Sequence, residues 1–372
     1  MAPPNAIPAT GNELMASSPQ IGSTPGDGAG VVGSPRISGL AVWEGGDALT
    51  QGEVRERLGL ESDDFAGRVF RGAAIKERHL SLHSATLDMS MQARLRRGQE
   101  RMFEYAVDVV DQLRIDPAEI GAVVSAGMYS LAVPSLAHQL VDRYCMEPTV
   151  PAYNLTAVGC ASAVPLLRLM TRLLDPESGK KGLVVAAERF TEMLTATAPG
   201  DPRTKAIGAA IVGDGCAAAL VEFRAGAPGP EIVASTVHHI AGTLQYVRLD
   251  LTEDDYFFYL DRDLPTIAAE GLAPIVEDFL GSSGVSREQI DHWIVHPGGR
   301  AILEKIEEAL SLGHDDLHVS YDILARRGNM GTASCFYLLH ETQRVCGPAR
   351  GTYGLMLTIG PGVVVGLMLI RF

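Results

Sequence analysis

The sequence predicts a layered α/β fold with duplicated halves, and three observations carry that prediction. Apolar runs of strand length, AVVSAG (122–127), GLVVAAE (182–188) and HWIVH (292–296), alternate with helical periodicities. Runs that are apolar at both parities belong to sheets covered on both faces, with helices as the cover. The second half also repeats the grammar of the first. AVGCASAVPLLRL and GNMGTASCFYLLH are each a small-residue loop entering a buried helix, and strands with glycine turns follow each.

The elements can be justified in order. Residues 1–36 are rich in Pro, Gly, Ser, Ala and Thr, nearly free of charge and without periodicity, and are expected to form a flexible tail. Over 100–113, Met102, Phe103, Ala106, Val109, Val110 and Leu113 share one face of a predicted helix. PSLAHQLVDRYC (134–145) opens a helix with proline. In 154–174, Val164, Leu166, Leu167, Met170 and Leu174 recur at helical spacing, placing Cys160 where loop turns into helix. AAALVEF (217–223) is a strand after the turn GDG. Helices follow over 265–280, 300–311 and 331–345. The apolar runs of 354–372 flank a Gly-Pro-Gly turn, as in a buried hairpin. Residues 37–223 and 224–372 are read as the two halves.

Composition narrows the function. A formal charge of −14 argues against nucleic acid or an anionic membrane as the main partner. The cysteines 145, 160, 216, 335 and 346 show no CxxC spacing and no metal-ligand clustering, so no metal is expected. Their odd number in a chain of 372 residues fits reduced thiols in a cytoplasm. No apolar stretch reaches membrane-spanning length, and no secretory signal opens the chain.

Three residues carry chemistry. Cys160 stands at a predicted helix N-terminus, where the helix dipole favours a thiolate and a nearby imidazolium favours it further, toward a pKa of roughly 3.5–7.5. His296 ends a strand before Pro-Gly-Gly, at the kind of strand end where α/β folds place reactive groups. The glycines there admit a ligand close to the backbone. Asn329 sits between Gly328 and small residues that start a helix. Taken singly, a buried cysteine, a satisfied histidine and a helix cap are the plainer readings of these residues. Taken together, they are a nucleophile and two donors to a developing oxyanion, a set suited to acyl transfer through a thioester. The other four cysteines are read as core residues.

At these residues the chain resembles the type III polyketide synthases, the chalcone-synthase-like branch of the thiolase superfamily. The matching segments are AVGCASAVPLLRL, GDGCAAALVE, WIVHPGGRAILEKIEEAL, RRGNMGTAS and TIGPGVVVGLML, in family order and covering most of 37–372. YFFYLDRDLP and DHWIVHPGG look most like bacterial 3,5-dihydroxyphenylacetyl-CoA synthase-like members. The resemblance implies a five-layered α-β-α-β-α thiolase fold and a homodimer. It implies that Cys160 carries the growing chain, while His296 and Asn329 bind the malonyl-CoA carbonyl through decarboxylation and enolate formation. Malonyl-CoA and an acyl-CoA starter are then the partners, with coenzyme A thioesters as substrates and no cofactor. Cyclisation to an aromatic or pyrone product follows.

The resemblance also assigns coenzyme A contacts to Arg68, Arg71, Gly298, Gly299 and Ala301. The family's flanking lysines fall here on Phe65 and Gly72. It places Val212, Phe258, Val133 and Met193 at the gate and cavity, with Val133 on the segment that crosses to a neighbouring subunit. Val212 stands where the family commonly carries an aromatic ring, so larger or longer starters are expected to pass. A fatty-acid-type ketoacyl synthase is the alternative enzyme, but an acidic surface disfavours an acidic carrier protein. A catalytically silent homologue is the alternative outside enzymes, and the intact Cys160, His296 and Asn329 argue against it.

Overall fold

The computed structural model describes residues 33–83, 89–127, 132–194, 202–251 and 256–372. The predicted tail therefore lies outside the described residues up to position 32, and Arg36 already belongs to the first strand. The strands are β1 (Arg36–Val42), β2 (Ala48–Thr50), β3 (Glu77–His79), β4 (Ile120–Gly127), β5 (Ala152–Thr156), β6 (Lys181–Glu188) and β7 (Gly215–Glu222). They continue with β8 (Glu231–His239), β9 (Val247–Leu251), β10 (Tyr256–Leu260), β11 (Ile290–Val295), β12 (Tyr353–Gly360) and β13 (Val364–Arg371). The helices are α1 (Gln51–Arg57), α2 (Asp64–Gly72), α3 (Met91–Gln112), α4 (Leu136–Arg143), α5 (Ala163–Leu173) and α6 (Pro202–Ile211). After them come α7 (Leu264–Ala269), α8 (Leu272–Ser282), α9 (Arg300–Leu310), α10 (His318–Arg327) and α11 (Ser334–Glu341).

The duplication is explicit in the pairing. In the first half β4 runs parallel to β6, which is antiparallel to β7, which is antiparallel to β1. In the second half β11 runs parallel to β12, antiparallel in turn to β13, and β13 to β8. The edge strand β5 adds to β4 in parallel. The two half-sheets join at the pair Arg36↔Glu231 between β1 and β8.

Alternation along the apolar strands builds the layers, because successive side chains point to opposite faces. Leu183 and Val185 of β6 pack outward with Met102 and Val109 of α3 and Leu140 of α4. Val184 and Ala186 pack inward with Leu166, Leu167 and Met170 of α5 and with Phe336 and Leu339 of α11. That same helical layer receives Ile294, Met356 and Met368 from the second half-sheet. Leu355 and Leu357 face out instead, onto Leu280 of α8 and Leu303 and Ile306 of α9. The order is α-β-α-β-α, as expected. A fully buried leucine contributes roughly 1.5–3 kcal/mol, so the central helices stabilise both sheets at once.

Two expected helices differ, as do two of the cysteines read as core. The helix over 265–280 is broken at Gly271, whose φ of +75° ends α7 and starts α8. The helix over 331–345 is a 3₁₀ turn (Gly331–Ala333), then α11, then a π-helical turn (Thr342–Cys346). Cys216 and Cys335 are core residues, but Cys145 is exposed and Cys346 half-buried.

Close approach at one position ties the fold to the chemistry. A Cβ on Gly360, the end of β12, would lie 2.5 Å from Ala161 N, and a backbone atom cannot give way as a flexible side chain does. Gly360→Ala is therefore expected to cost ~1–3 kcal/mol by overpacking, read as a lowered urea midpoint. An unchanged midpoint would show that β12 does not press on the Cys160 turn. At the seam, Glu231 Oε2 accepts from Arg36 (3.0 Å) and Arg371 (2.8 Å). Burial raises the Glu231 pKa, but the hydrogen bonds from Arg371 and Ser34 and the two arginine charges outweigh it and hold the carboxyl below 4.5. A lowered folded pKa means stability present above the unfolded pKa and lost as pH falls through the folded one. Glu231→Gln should thus melt about 1–2 °C lower at pH 7, for a partly screened contribution of about 0.5–1 kcal/mol. Melting curves from pH 8 to 3 should show that gap closing below pH 4.5. A gap independent of pH would remove the ion pairs from the seam's stability.

Candidate active site

Cys160 lies in a 3₁₀ turn (Gly159–Ala161) that feeds α5, and Gly159 takes a φ of +62° to enter it. Thr332 and Thr358 approach the carbonyls on either side of the cysteine. Thr358 Oγ1 is 3.2 Å from Ala161 O, and Thr332 Oγ1 is 3.3 Å from Gly159 O. Both threonines come from the second half of the chain. The shorter contact of Thr332, 2.5 Å to Glu188 Oε1, takes its proton and ties it to the end of β6.

Asn329 reaches the cysteine from the loop between α10 and α11. Its amide is oriented by Gly331 N, which donates to Oδ1 at 2.8 Å. That leaves Nδ2 facing Gly298 O (3.4 Å) and Cys160 Sγ (3.9 Å) as the available donor. The backbone is equally fixed: Asn329 N donates to Ile211 O (2.7 Å), and Gly213 N donates to Asn329 O (2.9 Å). Val212 is thereby bridged to Asn329.

His296 directly follows β11, held by its N–H to Leu357 O at 2.8 Å. A Cβ on Gly298 would meet the His296 ring at 3.4–3.6 Å, so the ring lies against the Pro-Gly-Gly turn. Among the described residues neither ring nitrogen has a hydrogen-bond partner, although the side chain is buried. An imidazole left unpaired at a buried site is open to a substrate carbonyl or to the thiol's proton.

The electrostatics correct the expectation of a thiolate favoured by its helix. Burial, and then the charge of Glu188, pushes the Cys160 thiol up to about 12, against a lowering hydrogen bond from Asn329. Burial alone pushes the His296 imidazolium down to about 3. Desolvation outweighs the helix dipole because a buried charge loses several kcal/mol of hydration while the dipole returns about 1. Each charge is disfavoured alone. Proton transfer from thiol to imidazole would make both together, as an ion pair with no net charge.

The structure thus assembles Cys160, Asn329 and the Gly298 backbone in one buried cluster, with His296 against Gly298. Gly299, also buried, caps the start of α9, while Ala301 is exposed on that helix. Arg68 and Arg71 lie on the exposed face of α2, with the Arg68 guanidinium 5.9 Å from the Phe65 ring, and share no hydrogen bond with the cluster among the described residues. Val212 is 2% exposed and packs in the same apolar cluster as Phe190, Leu194 and Ala209. Met193 packs against that cluster from a 3₁₀ turn (Thr191–Met193). Val133, 97% exposed, precedes α4. The backbone of Phe258 pairs with Leu249 in the β9–β10 hairpin, and its side chain lies outside the described residues.

Three further residues shape the site. Glu188 is fully buried, and a Cβ on Gly331, whose φ is +55°, would meet its Oε1 at 2.9 Å. Thr332 links that carboxylate to the Cys160 turn. Arg78 lies in the charge run AIKERHL, where a solvated face is the ordinary reading, yet it is fully buried on β3. Its Nη1 donates to Ala209 O (2.6 Å) and Val212 O (2.8 Å), and its Nη2 to Gln51 Oε1 (2.6 Å). It supports from below the segment that bridges to Asn329. No local pattern marks Arg78 for burial, because its carbonyl partners lie 131 and 134 residues away.

No group of three or more His, Cys, Asp or Glu among the described residues is arranged to hold a metal ion. No helix there is long and apolar enough to cross a membrane.

Comparison with known proteins agrees with this geometry. Residues 48–228 match the family described as FAE1/Type III polyketide synthase-like protein, and 231–372 match the chalcone and stilbene synthases, C-terminal domain. Type III polyketide synthase 21 of Oryza sativa subsp. japonica is 30% identical over 260 residues, 68% of this chain and 67% of that protein. The 3,5-dihydroxyphenylacetyl-CoA synthase of Amycolatopsis balhimycina is 24% identical, covering 92% of this chain and 95% of its own. The 1,3,6,8-tetrahydroxynaphthalene synthase of Streptomyces peucetius subsp. caesius is 27% identical, covering 82% and 83%. The fold is shared with the crystal structure of PKS-I from the brown alga Ectocarpus siliculosus, with a TM-score of 0.82 at 23% identity over 93% of this chain and all of that one. The tetrahydroxynaphthalene synthase of Streptomyces coelicolor A3(2) superposes equally well, with a TM-score of 0.82 at 22% identity over 91% and 99%. With 48–228 and 231–372 both matched in family order and a relative 30% identical over 68% of the chain, the chain belongs to the type III polyketide synthases.

Proposed function

We propose that this chain loads an acyl group from coenzyme A onto Cys160 and extends it with malonyl-CoA by iterative decarboxylative Claisen condensation. The observation that carries this reading is the buried meeting of Cys160 with Asn329 Nδ2, beside an imidazole whose two nitrogens have no partner among the described residues. His296 takes the thiol proton as Cys160 sulfur attacks the starter thioester. The acyl C–S bond to coenzyme A breaks, and the departing thiolate takes that proton. The malonyl thioester carbonyl then lies between His296 and Asn329. Loss of carbon dioxide leaves its electron pair as an enolate, and the two donors stabilise the oxyanion. The enolate carbon attacks the Cys160 thioester, a C–C bond forms, and the sulfur leaves as thiolate. Burial serves this step because preorganised donors act most strongly where water is excluded.

Coenzyme A thioesters are substrates here, and the chemistry asks for no metal or redox cofactor. The relatives' names, a tetrahydroxynaphthalene synthase, a dihydroxyphenylacetyl-CoA synthase and an alpha-pyrone synthesis protein, favour cyclisation to an aromatic or pyrone product. Arg68 and Arg71 are assigned to the coenzyme A phosphates, as an exposed pair on one helix turn. A homodimer is supported by the edge strand β5, its half-exposed Tyr153, and the nearly fully exposed Val133. Five free cysteines fit a reducing cytoplasm.

Mass spectrometry of products from malonyl-CoA alone, then with a panel of acyl-CoA starters, tests the function; no polyketide from any starter would end it. Cys160→Ala should lose the acyl adduct seen by intact-protein mass spectrometry, and an adduct that persists would move loading elsewhere. Asn329→Ala should slow carbon dioxide release from malonyl-CoA by about 10²–10³. Release at the parental rate would take Asn329 out of the mechanism. Val212→Phe should lower kcat/KM for a long-chain starter relative to acetyl-CoA, with melting temperature followed in parallel because the site is packed. An unchanged ratio in a folded variant would assign Val212 to packing alone.

A further inference from the structure

Arg78 is the largest fully buried side chain among the described residues, and no step of the proposed reaction uses it. Among those residues it has no carboxylate partner; burial alone acts on it and pulls its pKa down to about 9, so it stays charged at neutral pH. A buried charge without an opposite partner is costly to keep. An apolar side chain would fill the same space at less cost, so the reason for a guanidinium lies in its hydrogen bonds.

Those bonds converge on the end of α6. A helix ends with carbonyls that no amide further along can meet. Here the carbonyls of 209–212 are met from distant parts of the chain. Arg78 Nη1 donates to Ala209 O (2.6 Å) and Val212 O (2.8 Å), and Gln51 Nε2 donates to Ala210 O (2.9 Å). Asn329 N donates to the carbonyl among them that remains, Ile211 O (2.7 Å). Gln51 is fixed in turn, because its Oε1 accepts from Arg78 Nη2 at 2.6 Å. The stem of Arg78 fills the space beside Gly328, where a Cβ would lie 2.9 Å from its Cδ. One side chain thus lies against the residue before Asn329 and also secures the segment that holds the Asn329 backbone.

We propose that Arg78 is a positioning residue for the decarboxylation of malonyl-CoA: it fixes 209–212 and so aims Asn329 Nδ2 at the thioester carbonyl. The inference rests on Asn329 acting as an oxyanion donor. Loading of Cys160 proceeds through His296, whose backbone is held by Leu357 instead, so loading and decarboxylation should part when Arg78 is changed. A planar fork is needed because two carbonyls and an amide oxygen must be met at fixed angles, which a lysine ammonium does not do.

The test uses the full chain, with melting temperature followed in parallel. Arg78→Lys keeps the charge and most of the stem but loses the fork. It should slow carbon dioxide release from malonyl-CoA by about 10–100-fold, the cost of a donor misplaced from a distance, while Cys160 is acylated at close to the parental rate. Gln51→Leu, at a half-buried residue that leaves Arg78 in place, should show a smaller loss of the same kind. In an Asn329→Ala background Arg78→Lys should slow release no further, because both changes act through one donor. Equal losses in loading and release, or a full further loss on top of Asn329→Ala, would make Arg78 a general support of the fold and overturn the proposal. If Arg78→Lys does not fold, release at the parental rate from Gln51→Leu would overturn it. Release at the parental rate from Asn329→Ala alone would overturn the reading of that donor, and the positioning role with it.

Discussion

Everything at the centre of this molecule follows from the burial of the Cys160 thiol and the His296 imidazole around the contact of Asn329 with Gly298, with no compensating charge of their own. Burial alone would keep Cys160 protonated and His296 neutral. In the proposed reaction the thiolate forms as one half of a pair, its proton taken by His296. In that reaction the same dryness that forbids an isolated charge would strengthen the hydrogen bonds of Asn329 and His296 to a developing oxyanion. Stability and chemistry thus draw on one property of the site, the exclusion of water.

That exclusion depends on the duplicated fold. Cys160 comes from the first half, carried on the turn before α5; His296, Asn329 and the threonines flanking the cysteine come from the second. Helices α5 and α11 pack against both half-sheets, so the two halves cannot shift without disturbing the central layer. Asn329 is held on both backbone sides by residues 211 and 213, whose own position rests on the buried guanidinium of Arg78. The site is a crossing point of contacts distant in sequence.

That distance explains what the sequence disclosed. Cys160, His296 and Asn329 could be singled out as candidates because each sits at an element boundary with glycine next to it or two residues on, a local signature. The apolar strands were legible because burial on both faces leaves continuous runs. Arg78 was not, since nothing near it in the chain announces carbonyl partners more than a hundred residues away. Glu188 was hidden for the same reason: it closes a strand whose pattern is read for its apolar residues, and its partner Thr332 is 144 residues on. The thiol's ionisation was misjudged because a helix N-terminus is visible in a sequence while the depth of burial around it is not. The single helix expected over 265–280 failed at Gly271, where a positive φ interrupts an otherwise helical apolar pattern.

The claim that charge arises here only as a Cys160–His296 pair is open to one direct measurement. The rate of Cys160 alkylation by iodoacetamide, followed by peptide mass spectrometry from pH 5 to 10, reports the thiolate population in the parent and in His296→Ala. Pairing predicts that loss of the imidazole moves the midpoint up by at least about 2 pH units, a free-energy difference of about 2.7 kcal/mol between protonation states. Superimposable profiles would mean that the thiolate forms without its partner, and the account of the site would be wrong.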